Sequence, residues 1–319
     1  MELQRLNVYD YQWQVIINPN ALSEKCLAYW VDVEKQLGKL GIPYRHHIAD
    51  ESTFGIKKVE ELCKKGERYF IVVGGDGTIN EVINGIFISG VNPEEVYVSV
   101  FPLGTGNDWT RTHAYPSSYS DTILSFQEAK FIKHDVGLVE CVKDNLLIEK
   151  RYFVNIAGFG FDAEVIEEVN KNKSKLFTKT VYILSLLKVL LRYKNKKNLI
   201  KLDNESINDE IFTLAVGIGQ YNGNGMRQVP TANPVDGLFD VAVVRKISPL
   251  KVIKNVSKLY DGTHIKVLKE ASVSQSKTVE IKSSPYCRGE VEGELLPLAD
   301  YRISIIPRAV NMMSMAENW

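Results

Sequence analysis

The chain has 319 residues, 39 basic and 39 acidic side chains, a net charge of zero and 45% hydrophobic residues. That length points to two domains with ample core material, and the neutral balance excludes a global nucleic-acid-binding surface. Cys26, Cys63, Cys141 and Cys287 lack C-x-x-C spacing, which reads as reduced thiols of a cytoplasmic protein. No signal core and no run of about 18 to 20 apolar residues is found.

In chain order, Trp13 to Ile17 predicts a short apolar strand ending at Asn18-Pro19-Asn20, followed by helical spacing from Leu22 to Leu40 that stops at Gly41. Tyr44 to Ile48 predicts a second strand, and Phe54 to Lys65 a helix capped by Ser52 or Thr53. Tyr69 to Val73 reads as a buried parallel strand, then come Gly74-Gly75-Asp76-Gly77-Thr78 and a helix with Ile79, Val82, Ile83 and Ile86 on one face. Val96 to Phe101 is a further strand, broken by Pro102-Leu103-Gly104-Thr105-Gly106-Asn107-Asp108, with a helix from Ser120 to Ala129. Alternating strands and helices predict an open parallel sheet with ligands beyond its carboxyl ends. Beyond about residue 136 strand-like runs dominate, at 151–157, 199–202, 211–218, 238–244, 277–281 and 301–306. Helical patterns remain at 163–169, 178–191 and 249–259, so a second, largely antiparallel domain is expected.

A strand, a glycine bend and a helix N-terminus offer unpaired amides that favour an anion, most often phosphate. Asn80 stands where a dinucleotide fingerprint has its third glycine, and no Gly-Lys-Ser/Thr follows, so neither the Rossmann nor the Walker A motif applies. The alternative is a turn built on Asp76 with Thr78 as a plain cap. The Gly104–Asp108 bend suits a second phosphate contact or an ordinary polar loop. Asp236-Gly237 can hold a hard cation with nearby carbonyls, and taken alone it reads better as a hairpin turn. Glu290, Glu292 and Glu294 can supply a general base or form a solvated hairpin. His46, His47, His113, His134 and His264 lack metal-ligand spacing and read as structural or surface residues.

Together these segments resemble the diacylglycerol kinase catalytic family, which also holds sphingosine and ceramide kinases, and within it the bacterial soluble lipid kinases. The resemblance rests on Asn18-Pro19, Gly74 through Val82, Pro102 through Asp108, Asp135, Asn155, Gly160-Phe161-Asp162, Asn222-Gly223, Pro230, Ala232, Asp236-Gly237-Leu238 and Gly293-Glu294, in family order. It implies an α/β ATP-binding domain at 1–135, joined by the returning segment 306–319, and an antiparallel β-sandwich lipid-substrate domain at 136–305. It implies ATP contacts from Asn18, Gly74, Gly75, Asp76, Gly77, Thr78, Ile79, Asn80, Glu81, Gly104, Thr105, Gly106 and Asn107. Asp76 and Asp108 would serve the catalytic network, and Asp236 with carbonyls of Asn233 and Leu238 would hold Mg²⁺. Glu292 would be the general base, with Glu294 in support. The family's usual Asp is replaced by Glu292, and a Thr that touches ATP in some members is matched by Ala49.

The activity implied is ATP-dependent phosphorylation of diacylglycerol or a similar lipid alcohol, in a cytoplasmic homodimer peripheral to the inner membrane. The alternatives are an NAD kinase-like enzyme and an impaired nucleotide- or lipid-binding module. Residues 171–201 add ten Lys or Arg and no acid around the apolar run 181–191. That composition suits an anionic membrane surface or a core helix with solvated flanks. Apolar residues around nearly the whole helix circumference favour burial of the helix itself.

Overall fold

The computed structural model describes residues 4–19, 25–48, 54–104, 106–116, 118–171 and 179–316. Ala49, Ser52, Thr53 and Thr105, and the stretch 172–178 of the basic segment, lie outside the described residues. The chain divides into unit 1 (Met1–Val136, Pro234–Asp236, Ile306–Trp319) and unit 2 (Gly137–Asn233, Gly237–Ile305).

The elements of the first part of the chain are β1 (Gln4–Arg5), β2 (Trp13–Ile17), α1 (Lys25–Leu40), β3 (Tyr44–Ile48), α2 (Phe54–Lys64), β4 (Tyr69–Gly74), α3 (Asp76–Ile88), β5 (Tyr97–Pro102), α4 (Asp108–Thr112), α5 (Tyr119–Phe126) and β6 (Lys130–Lys143). Strands β5, β4, β2 and β3 pair in that order, all parallel. The continuous apolar runs of β2 and β4 are buried as both faces of such a sheet demand. The chain passes from β2 outward to β3 and then back across to β4. The order therefore switches between β2 and β4, where open α/β sheets bind ligands. Trp13 anchors the core, edge-on to Phe126 at 4.8 Å and to Tyr69 at 5.5 Å.

The later elements are β7 (Leu146–Phe153), β8 (Ile156–Gly160), α6 (Phe161–Lys171), α7 (Lys179–Arg192), β9 (Lys196–Leu202), β10 (Ser206–Gly217), β11 (Phe239–Arg245), α8 (Pro249–Asn255), α9 (Lys258–Asp261), α10 (His264–Val267), β12 (Ala271–Ser276), β13 (Thr278–Ser283), β14 (Gly289–Val291), β15 (Glu294–Leu295) and β16 (Asp300–Met313). Unit 2 is an antiparallel β-sandwich threaded by β10. The first half of β10 pairs with β9, and its second half lies between β8 and β11. Phe153 and Phe239 stack at 5.8 Å in its core, which also holds Phe159 and Tyr301. The last eight residues of β16, from 306 on, lie in unit 1, where Asn311 and Met312 run parallel with β5.

Three expectations change. The run 151–157, read as one strand, is broken at Val154–Asn155 because both amides turn to a side chain described below. The helix expected at 249–259 is two short helices, α8 and α9. The helix α7 is not wrapped in protein: Leu184, Leu187 and Leu191 are exposed, whereas Val189 and Leu190 are buried.

Candidate functional site

In unit 1 the two glycine bends meet. Gly74 at the end of β4 is in register with Pro102 at the end of β5, and Leu103 N donates to Gly74 O at 2.8 Å. A Cβ on Gly75 would lie 3.1 Å from Gly104 Cα, and one on Gly104 only 2.7 Å from Gly75 Cα. The backbones touch at a distance that only glycine permits. Asn18, at the end of β2, donates from Nδ2 to Thr78 Oγ1 at 3.3 Å and adds the third strand end to the same place.

Asp76 joins the bends. Its Oδ2 accepts from Asp108 N at 3.1 Å and its Oδ1 from Trp109 N at 3.0 Å, so it caps α4 from another loop. Burial pushes its pKa up, against the opposing pull of the Trp109 and Asp108 amides. The carboxylate thus has two amide partners of its own. Asp108 is itself buried, with Arg111 Nε 3.5 Å from its Oδ1. A Cβ on Gly106 would lie 3.2 Å from Asp76 Oδ2 and 3.4 Å from Asp108 Oδ2, so both carboxylates sit under that glycine. Asn107 is left-handed at φ 51°, and its buried Oδ1 has no hydrogen-bond partner among the described residues. Gly77 faces open space. Ile79 is buried in the core, Asn80 is held through its Oδ1 by Asn84 Nδ2 at 3.1 Å, and Glu81 packs over Gly55 of α2. These three scaffold the helix behind the bend.

Sequence reasoning missed a chain of neutral histidines behind α4. His134 Nδ1 faces the Asp135 carbonyl at 2.5 Å, His134 Nε2 faces His113 Nε2 at 3.2 Å, and His113 Nδ1 faces Ser314 Oγ at 3.3 Å. A carbonyl only accepts, so His134 carries its proton on Nδ1. His113 then donates from Nε2, and the Ser314 hydroxyl donates to His113 Nδ1. Burial lowers both pKa values, that of His134 to about 4 and that of His113 well below the usual range. Trp109 of α4 stacks on His113 at 3.9 Å. Asp135 is buried as well: its N donates to Pro234 O at 2.8 Å and its Oδ1 accepts from Arg308 N at 2.6 Å.

Unit 2 gathers acids. Glu292, in the left-handed region at φ 50°, accepts through Oε1 from Val154 N at 2.8 Å and Asn155 N at 2.7 Å. This is the carboxylate that breaks the run between β7 and β8. Glu290 is 1% exposed and accepts from Gly293 N at 2.7 Å. Its pKa is raised to about 8 by burial, with Asp162 and Glu292 adding like charge. A Cβ on Gly158 would lie 2.5 Å from Glu290 Oε1 and 3.5 Å from Asp162 Cβ, so the two acids straddle that glycine. Asp162 accepts from Thr213 Oγ1 at 2.9 Å and from Gln228 Nε2, and burial raises its pKa too. Glu294 is exposed on β15. Asp162, Thr213, Gln228, Asn255 and His264 give polar points to an otherwise apolar slot of about 80 Å³, walled by Phe161, Leu186, Val252 and Leu268 among others and open to solvent.

Asp236 is exposed on the turn before Gly237, which takes φ 75°, with Asn233 and Leu238 on either side. These are oxygen donors of the kind a hard cation takes. Among the described residues no group of three His, Cys, Asp or Glu stands together as a metal cage. No described helix is long and apolar enough to cross a membrane.

Residues 12–139 match the diacylglycerol kinase catalytic domain, and residues 155–314 match the YegS C-terminal NAD kinase beta sandwich-like domain. The diacylglycerol kinase of Staphylococcus carnosus (strain TM300) is 25% identical over 281 residues, 88% of each chain. That of Staphylococcus haemolyticus (strain JCSC1435) is 25% identical over 281 residues, 88% of this chain and 81% of the relative. A crystal structure of a diacylglycerol kinase from Bacillus anthracis str. Sterne covers 95% of this chain and 96% of that one, with a TM-score of 0.68 at 18% identity, a likeness of fold. With both halves of the chain matched in order, the protein belongs to the diacylglycerol kinase catalytic family of lipid kinases.

Proposed function

We propose that the chain transfers the γ-phosphoryl group of ATP to the hydroxyl of diacylglycerol or a similar lipid alcohol. The observation that carries the nucleotide half is the contact of the two glycine bends, held by the Asp76 carboxylate on the Asp108 and Trp109 amides. Phosphoryl transfer asks the protein mainly for positioning and charge stabilisation. The bends and the N-terminus of α3 supply backbone donors suited to phosphate oxygens. The buried Asn107 Oδ1, without a hydrogen-bond partner among the described residues, supports a polar ligand there. Asp236 and the carbonyls of Asn233 and Leu238 would hold magnesium, which would supply neutralisation of triphosphate charge.

The lipid half rests on unit 2. The narrow apolar slot suits a short stretch of an acyl chain, and its polar points lie beside the Asp162–Glu290 pair. Glu292 takes the hydroxyl proton as general base. Glu290, neutral below about pH 8, keeps a second negative charge away from Glu292 until the pH rises past that value. The test is a panel of lipid alcohols, with NAD as a competing acceptor, incubated with labelled ATP and Mg²⁺. Labelled phospholipid supports the reading. Labelled NADP, or ATP binding without any transfer, would replace it.

A further inference from the structure

The polar groups along the slot of unit 2 mostly spend their protons on one another. Thr213 Oγ1 donates to Asp162 Oδ2 at 2.9 Å, and Gln228 Nε2 donates to the same oxygen. Gln228 Oε1 in turn accepts from Asn222 Nδ2 at 3.4 Å. Asn255 Nδ2 donates to Lys251 O at 2.8 Å within α8.

His264, the first residue of α10, is 2% exposed. Its Nδ1 has no hydrogen-bond partner among the described residues, and no other residue lining the slot has a buried side-chain atom in that state. Burial lowers the pKa of the ring, against the pull of the Lys258 and Gln228 carbonyls. Carbonyls only accept, so with Nδ1 unengaged they hold the ring through Nε2–H and leave Nδ1 a bare lone pair. The same corner is tied by Arg227 N, which donates to Leu259 O at 2.7 Å. A buried acceptor without a donor is costly, so such an atom calls for an occupant. The slot, at about 80 Å³, has several times the room that one water needs, between apolar walls that hold water poorly.

We propose that His264 selects the lipid: its Nδ1 accepts a hydrogen bond from a second hydroxyl of the substrate, other than the one that is phosphorylated. This rests on the lipid-kinase reading. The reacting hydroxyl gives its proton to Glu292 and cannot also serve His264. A diacylglycerol has no second hydroxyl, and its ester oxygens would face Nδ1 lone pair to lone pair. A monoacylglycerol has the missing donor.

The full chain is given labelled ATP, Mg²⁺ and either monooleoylglycerol or dioleoylglycerol in the same detergent. The kcat/KM for the monoacylglycerol should be about tenfold higher. His264→Leu should erase that ratio. His264→Asn, whose Oδ1 restores an acceptor near the place of Nδ1, should keep it within about threefold. Both variants lose the Nε2 hold on the carbonyls, and a ratio taken within one preparation cancels any loss of folded protein. A wild-type ratio near one, a ratio that His264→Leu leaves alone, or equal loss in both variants would overturn the proposal and give Nδ1 to water or to placing the ring. If neither lipid is phosphorylated, calorimetry with the same two lipids reads the contact directly. Tighter binding of the monoacylglycerol that His264→Leu abolishes would then keep the contact and remove the kinase reading alone; equal binding would overturn the contact as well.

Discussion

The glycine bends of unit 1 and the acid cluster of unit 2 are built from different material. The bends are made of backbone. Their shape comes from Gly75 and Gly104 in contact, and Asp76 organises them by accepting amides. The acid cluster is made of side chains: Glu290 and Asp162 buried on either side of Gly158, and Glu292 on the amides of Val154 and Asn155. A backbone-made site tolerates little change in covalent geometry. A side-chain-made site is tuned by charge, and so by pH.

The largest effect is expected from Gly104→Ala. Its Cβ would lie 2.7 Å from Gly75 Cα, so the bends must part. ATP binding measured by calorimetry should fall by about 100-fold, with about 1–3 kcal/mol of stability lost to overpacking. Asp76→Ala comes next. It leaves the Asp108 and Trp109 amides without their acceptor, at about 1–2 kcal/mol, and a thermal melt together with the ATP affinity would read it. An unchanged Asp76→Ala protein would break the contrast, because the bends would then stand without their clasp.

The pH predictions sharpen the contrast through opposite signs. His113 and His134 are depressed below 6.5, so the stability they confer is complete above that value and is lost as pH falls toward about 4. Glu290 is raised from 4.5 to about 8, so its contribution is complete below 4.5 and is lost as pH rises through about 8. Melting curves of Glu290→Gln should therefore lack part of the wild-type decline between those two values. His113→Gln should flatten the acid limb instead. The same acid limb in wild type and His113→Gln would show that the histidine chain does not govern it. The smallest effect belongs to Glu294→Gln: the residue is exposed, and turnover should change by less than about twofold.

The contrast also explains what could be read from the chain. The α/β half was legible because each bend is contiguous: an apolar strand, glycines and a helix follow one another within a few residues, and β2, β4 and β5 appear where periodicity puts them. Strand β6 was missed, since buried His134 and Asp135 interrupt its apolar pattern. The polar start of β10, Ser206 to Asn208, was missed because that stretch is largely solvent-facing. The carboxylates of the Glu290 hairpin were visible, but their pairing with Asp162 was not, because only the fold brings β8 beside β14. His113 and His134 carry no shared periodicity, and their contact depends on α4 lying over β6. Burial of α7 was over-read from composition: a helix can be apolar around its circumference and still turn leucines outward.

The two amides on Glu292 Oε1 have a chemical consequence. An oxygen receiving two N–H groups from Val154 and Asn155 is held in place by them, and it holds them in turn. The same carboxylate pins the junction of β7 and β8, so exchanging its charge for neutrality slackens the seam it holds. Acid–base state and local strand geometry there rise and fall as one variable.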